Sequence, residues 1–297
     1  MGVLNTIGWI GLGKMGLPIC IRLKNAGFHV TAFCRNANAE AVAAANGFAV
    51  ARTLADTAKD ADVVVSAISD DPALLDIVLG AGGLKDCLTH SQTYIDTSTV
   101  SPDASARVAE ALTPNRCAYL RAPVSGSTAR ATQGALTAVV SGPSASCAEM
   151  TAFFAAFTKK AFWVGAGEEA RYLKLAINAM VGATSALLAE SLALARKGGL
   201  DVQTIMDVVS ESAVASPLIQ YKRGAVTTGD YTAAFSASQM LKDFDLIEQA
   251  AAATSCPMPL ISSIRTLYAQ AVAQGYGDQD FFVLTAPEVG PLRDPKG

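Results

Sequence analysis

Thr6-Ile7-Gly8-Trp9-Ile10-Gly11-Leu12-Gly13-Lys14-Met15-Gly16 carries a short apolar run into a helical pattern through Gly-x-Gly-x-x-Gly. Placed between a strand and a helix, this spacing is the fingerprint of a dinucleotide-binding βαβ unit. Gly11 permits the tight turn, Gly13 lets the backbone approach a pyrophosphate, and Gly16 lets helix and strand pack closely. The phosphates then rest on free N–H groups at a positive helix end. The loop residues Gly11, Leu12, Gly13, Met15 and Gly16 are therefore candidate cofactor contacts. A second strand over 29–33 follows after one helix's worth of residues, as the unit requires.

The end of that strand bears on which dinucleotide binds. An NAD site places an acidic residue there for the ribose hydroxyls, but this chain reads Phe33-Cys34-Arg35-Asn36, with no Asp or Glu before Glu40. A carboxylate would repel a 2′-phosphate, whereas a guanidinium can bind it bidentately. The expectation is NADP, with NAD possible, and with Arg35 and Asn36 at the 2′-phosphate.

Alternation continues along the first half. Runs over 62–68, 93–95, 117–121 and 136–141 read as strands, and 38–46 and 104–111 as helices, which gives a doubly wound α/β domain over 1–165. Beyond 165 no further strand is evident. Residues 168–196 read as one long helix, started by Glu168 and Glu169 and closed by Gly198-Gly199. The expected architecture is an α/β Rossmann-type sheet, a long interdomain helix, and an all-α domain over 166–297.

The 297 residues are 51% hydrophobic, enough for two buried cores. A net charge of −3 and a pI near 5.4, with no dense Lys/Arg cluster, give no footprint for nucleic acid or an anionic membrane. Six cysteines without Cys-x-x-Cys and only two histidines make no metal set. The cysteines read as reduced, mostly buried small hydrophobes, and the chain as a cytoplasmic protein.

Further motifs stand in order behind the glycine loop: Asp96-Thr97-Ser98-Thr99 with Ser101-Pro102, Ala122-Pro123-Val124-Ser125-Gly126, Lys174 with Asn178, and Lys242-Asp243. Together they resemble the β-hydroxyacid dehydrogenase family, which includes 3-hydroxyisobutyrate dehydrogenase and tartronate semialdehyde reductase, over nearly the whole chain. The resemblance implies an N-terminal Rossmann domain and a helical domain, with homodimers or homotetramers formed through the latter. It implies NAD(P)-dependent interconversion of a small 3-hydroxy acid and its semialdehyde or keto acid. Lys174 becomes the general acid/base and Asn178 its polarising companion. The Ser125, Gly126 and Ser127 loop would hold the substrate carboxylate, Thr99 and Ser69 would lie at the cofactor, and Lys242 near cofactor and substrate. Asp96 and Asp243 read as structural partners.

The residues support that chemistry on their own terms. Lys174 and Asn178, four apart on a helix, share one face, and both can donate to one substrate oxygen. A fixed ammonium stabilises charge growing on a carbonyl oxygen and then delivers a proton. The chain departs from the family pattern at Arg121, usually acidic, and at Ser127, usually glycine. Candidate substrates include 3-hydroxyisobutyrate, glycerate, threonate, 3-hydroxy amino acids and 4-hydroxybutyrate. A 6-phosphogluconate dehydrogenase would be much longer and would carry a His where Ile177 stands, which leaves as competing readings an NADPH-dependent imine reductase of the same fold and a catalytically silent NADP-binding scaffold. The retained Lys174 argues against both.

Overall fold

A computed structural model describes residues 4–289. The chain divides into two compact units, Met1–Lys174 and Leu175–Gly297. In the first, strands β1 (Thr6–Ile10), β2 (His29–Phe33), β3 (Ala49–Ala51), β4 (Val63–Ser66), β5 (Thr93–Asp96), β6 (Ala118–Arg121), β7 (Val124–Ser125), β8 (Leu136–Ser141) and β9 (Thr158–Gly165) form one sheet. Between them run α1 (Gly16–Asn25), α2 (Ala37–Ala45), α3 (Leu54–Ala58), α4 (Asp71–Leu79), α5 (Leu84–Cys87), α6 (Pro102–Leu112), α7 (Thr128–Thr132), α8 (Ser144–Glu149) and α9 (Thr151–Ala155).

The strand order is β3-β2-β1-β4-β5-β6-β8-β7, with β9 pairing β8. From β3 to β6 every pairing is parallel, and β8 then runs antiparallel to β6 and β7. The doubly wound reading is thereby met. Burial alternates as a two-faced sheet demands: Val63 and Val65 join a cluster with Ile7, Trp9 and Leu23, while Val64 joins Ile10, Tyr94 and Val108 on the other side.

The sequence reading places β1 and β2 at their observed bounds and misses β3, β7 and β9. β3 is Ala-Val-Ala, weak in strand propensity, and is held by pairing Phe33 with Ala51. β9 carries two exposed lysines, Lys159 and Lys160, on the outer side of β8, so no alternating apolar face marks it.

α10 (Glu169–Lys197), one residue displaced from its expected bounds, passes from the first unit into the second. At 29 residues it is about 43 Å long. By length and a mean hydropathy of 1.4 over an 18-residue window it could cross a membrane, but half of that window is buried within the fold. The second unit adds α11 (Val202–Glu211), α12 (Pro217–Thr228), α13 (Ala237–Ala253) and α14 (Pro259–Ala271), and its described residues contain no strand. Leu188, Ala189 and Leu192 of α10 pack there with Met206, Ile219, Met240 and Phe244. Ser185 Oγ donates to Phe281 O at 3.0 Å, and Tyr268 OH to Gly182 O at 3.1 Å. Lys222 and Asp280 form a buried pair at 2.6 Å.

Within the first unit the start of α10 is tied to the sheet by Arg171, which is 1% exposed. Its guanidinium donates to Asp96 Oδ2 at 2.6 Å, Tyr119 OH at 2.9 Å, Ser98 O at 2.8 Å and Ser105 Oγ at 3.2 Å. Asp96 Oδ1 accepts from Ser66 Oγ at 2.5 Å and Ser98 Oγ at 2.7 Å, so both carboxylate oxygens are satisfied. A second tie links Arg121 Nε to Glu168 Oε1 at 2.9 Å.

Removing one partner of a buried, hydrogen-bonded ion pair strands the other charge, at a cost of about 3–5 kcal/mol. Arg171→Met should lower the unfolding free energy of the chain by roughly that amount in urea denaturation, and adding Asp96→Asn should restore a part of it. A loss below about 1 kcal/mol in Arg171→Met would show that the pair does not anchor the helix.

Candidate active site

The glycine loop in the first unit has the shape its spacing demands. Gly11 adopts φ +103°, and a Cβ there would stand 2.2 Å from Ala67 O. At Gly16 a Cβ would stand 2.0 Å from Gly11 O, which explains the close strand–helix junction. At Gly13 a Cβ would meet nothing within 4 Å, so the small residue is not demanded by protein packing. The surface is left open where a pyrophosphate would approach, and the loop therefore fits a dinucleotide. Trp9 Nε1 donates to Gly11 O at 3.0 Å and braces the turn from beneath. Leu12 and Met15 are half-buried beside it.

The other cofactor candidates follow neighbouring parallel strands. Arg35 and Asn36, both exposed, follow β2. Asn36 caps α2, its Oδ1 accepting from Ala39 N at 2.9 Å, which leaves its amide donors available to a ligand. Ser69, beyond β4, is exposed and donates to Asp70 Oδ2 at 2.8 Å. Thr99, beyond β5, is half-buried. Ser98 Oγ accepts from Ile68 N at 2.9 Å and joins those last two loops. The crevice outside the carboxyl ends of such strands is where α/β sheets bind nucleotides.

Ser125 ends β7, and Gly126 takes φ +136°, where a Cβ would meet Leu136 Cδ2 at 2.7 Å. A side chain at 126 is thus excluded twice, by conformation and by space. Ser127 caps α7, with a long 3.4 Å contact from Arg130 N to its Oγ. That leaves its hydroxyl proton available to a ligand.

Lys174 is buried, three residues beyond Arg171 on α10. Asn178 lies four residues further along the same helix, in the second unit. There its Nδ2 donates to Asp243 Oδ2 at 2.6 Å, and Lys242 Nζ stands 3.0 Å from Asp243 Oδ1. The second unit therefore gathers Asn178 and Lys242 around one buried carboxylate, that of Asp243. Asp96 accepts three hydrogen bonds, whereas Asp243 accepts one from Asn178 and faces the Lys242 ammonium.

Sequence reading misses Arg171 and the partner of Arg121. Arg121 lies over the Tyr119 ring, its guanidinium carbon 4.3 Å from the centroid, and pairs with Glu168. Glu168 therefore serves as a counter-ion for Arg121 and stands just before α10, a correction to its reading as a first-turn residue. The charge reversal at 121 is a clue, but the pair spans 47 residues, beyond any local pattern.

All six cysteines are free, with Cys20, Cys34 and Cys117 buried, Cys87 and Cys147 half-buried and Cys256 exposed. Burial pushes the Cys117 thiol up to about 11, so it stays protonated and unreactive at neutral pH. Among the described residues no group of three or more His, Cys, Asp or Glu could hold a metal ion.

Comparison with known proteins matches this architecture. The family model for the NAD binding domain of 6-phosphogluconate dehydrogenase covers residues 6–165, and that for NADP-dependent 3-hydroxyisobutyrate dehydrogenase covers residues 165–286. The chain is 28% identical to glyoxylate/succinic semialdehyde reductase 1 of Arabidopsis thaliana, over 93% of its own length and 95% of the relative's. It is 29% identical to the mouse cytokine-like nuclear factor N-PAC over 92% of its length, and spans about half (49%) of that protein. A structure of Mycobacterium tuberculosis 3-hydroxyisobutyrate dehydrogenase with L-serine superposes with a TM-score of 0.85 at 27% identity, covering 95% of this chain and 98% of that one. With a glycine loop shaped for a dinucleotide, a helical second unit, and both family models aligned end to end, the chain belongs to the β-hydroxyacid dehydrogenase family of NAD(P)-dependent oxidoreductases.

Proposed function

We propose that this protein interconverts a small 3-hydroxy acid and its semialdehyde or keto acid, with NADP preferred and Lys174 as the general acid/base. The observation that carries this reading is the buried lysine on α10, one turn beyond an anchored arginine and one turn before Asn178. A bound nicotinamide supplies or accepts the hydride. Lys174 holds its ammonium against the substrate oxygen, opposes the charge that grows there during reduction, and releases one proton to it. In oxidation the same nitrogen takes up the alcohol proton. Asn178, steadied by Asp243, donates to the same oxygen.

The Ser125–Ser127 turn binds the substrate carboxylate through backbone N–H groups and the Ser127 hydroxyl. Thr99 and Ser69 line the cofactor, and Lys242 stands near cofactor and substrate. Residues 1–165 bind the dinucleotide, and 166–297 contribute substrate contacts and the oligomer interface. Small hydroxy acids and semialdehydes are also named for relatives: glyoxylate and succinic semialdehyde for the Arabidopsis reductase, and bound L-serine for the mycobacterial enzyme. The retained Lys174 favours dehydrogenase chemistry over a silent scaffold or an imine reductase.

The exposed face of α10 supports an oligomer. Met180, Leu187 and Leu194 recur every seven residues and are 65%, 67% and 78% exposed. Seven-residue spacing puts them along one ridge, the face a second helical unit would cover in a homodimer or homotetramer.

Three outcomes test the reading. Lys174→Ala should reduce turnover by roughly 10²- to 10⁴-fold while leaving the cofactor dissociation constant nearly unchanged. Retention of most turnover with a good substrate would remove the lysine from the chemistry. Arg35→Ala should weaken NADP by about tenfold to a hundredfold with little effect on NAD. Equal weakening of both cofactors would make the arginine an ordinary surface residue. Leu187→Glu should shift the protein to a smaller species in light scattering, and an unchanged mass would place the interface elsewhere.

A further inference from the structure

The strand next to β2 carries a second guanidinium at the same edge. Phe33 pairs with Ala51 in register, and Cys34 N donates to Ala51 O at 2.9 Å, so Arg52 follows β3 beside Cys34 and Arg35. Its Nε and Nη2 donate to Glu40 Oε1 and Oε2 at 2.8 and 3.0 Å, a two-pronged contact. Glu40 lies in the first turn of α2 and is the first carboxylate after β2. Its charge reaches back to Cys34, whose thiol is raised by burial and then by Glu40. An open hollow of about 450 Å³ adjoins the pair, lined by Glu40, Ala44, Val50, Ala51, Arg52 and Asp56. Asp56 there accepts from Thr53 Oγ1 at 2.6 Å.

We propose that the Glu40–Arg52 pair is a second determinant of dinucleotide choice, in which Arg52 occupies Glu40, the first carboxylate after β2, which would otherwise repel a 2′-phosphate, and itself reaches that phosphate. This rests on reading the end of β2 as the adenosine-ribose site. An acid at that place favours free ribose hydroxyls, and here the acid is present but displaced along the chain into α2. With Arg52 bound to both its oxygens, its repulsion of a phosphate dianion is reduced. The side chain of Arg52 is 75% exposed, so the contact with Glu40 is weak and salt-screened. A dianion arriving between Arg35 and Arg52 competes for the guanidinium on favourable terms, because Arg–phosphate contacts are charge-assisted and bidentate. The two residues thus act in opposition: Arg52 permits the phosphate and Glu40 opposes it.

Adenosine 2′,5′-bisphosphate and 5′-AMP isolate the effect, since they differ only in the 2′-phosphate and need no turnover. Calorimetric affinities for both should show that Arg52→Ala weakens the bisphosphate by about tenfold and leaves 5′-AMP within twofold. Glu40→Gln should tighten the bisphosphate by about threefold, and Arg52→Ala with Glu40→Gln should regain most of the loss. Additive effects, or a ratio of the two affinities that Arg52→Ala does not change, would overturn the proposal. Arg35→Ala in the same assay separates the two ideas. A response to Arg35→Ala alone discards the pair, a response to Arg52→Ala alone discards the Arg35 reading, and no response from either discards both. Both side chains are exposed, so unchanged melting temperatures confirm that each variant is folded.

Discussion

The contact on which the first unit depends is the buried pair between Asp96 and Arg171. Two charges taken out of water are costly unless every polar atom finds a partner. Here each partner comes from a different element: Ser66 from β4, Ser98 from the loop after β5, Ser105 from α6 and Tyr119 from β6. No one of these elements can shift without leaving a buried charge short of a hydrogen bond. The requirement fixes the rotation and depth of the first turns of α10, and Lys174 is carried one turn further on. Specificity of placement, rather than net stability, is the benefit of such an arrangement.

What was legible in the sequence was local. The glycine loop needs eleven consecutive residues to be recognised, and β1, β2 and the long helix appear within a residue of where their patterns put them. The family motifs are also short words in a fixed order. What was not legible depends on pairing across distance. Arg171 meets Asp96 across 75 residues, Arg121 meets Glu168 across 47, and Asn178 meets Asp243 across 65. None of these has a spacing to detect. β3 and β9 failed for a related reason: Ala-Val-Ala and a lysine-bearing edge become strands only because a neighbour offers a ladder to complete.

Two candidate ligand contacts already have a structural task. Asn36 and Ser127 both cap short helices with their side-chain oxygens. The cap uses one lone pair of each oxygen and none of the amide or hydroxyl protons, so these residues can donate to a ligand without giving up the cap. That polarity suits anions. A 2′-phosphate at one loop and a carboxylate at the other are the two anionic ends of the reactants proposed above.

Trp9 lies wholly buried beneath the glycine loop with its indole N–H on Gly11 O, while the chain's other tryptophan, Trp163, is 48% exposed on the edge strand β9 with its N–H on Gly142 O. The two fluorophores therefore sample opposite surroundings, an apolar interior and a wet margin. Their emission should therefore separate by wavelength, and an added quencher such as iodide should reach chiefly the outer one. The inner one is coupled through a single hydrogen bond to the Gly11 carbonyl of the glycine turn. The fold thus contains an intrinsic optical reporter of the state of that turn, readable without a label and without turnover.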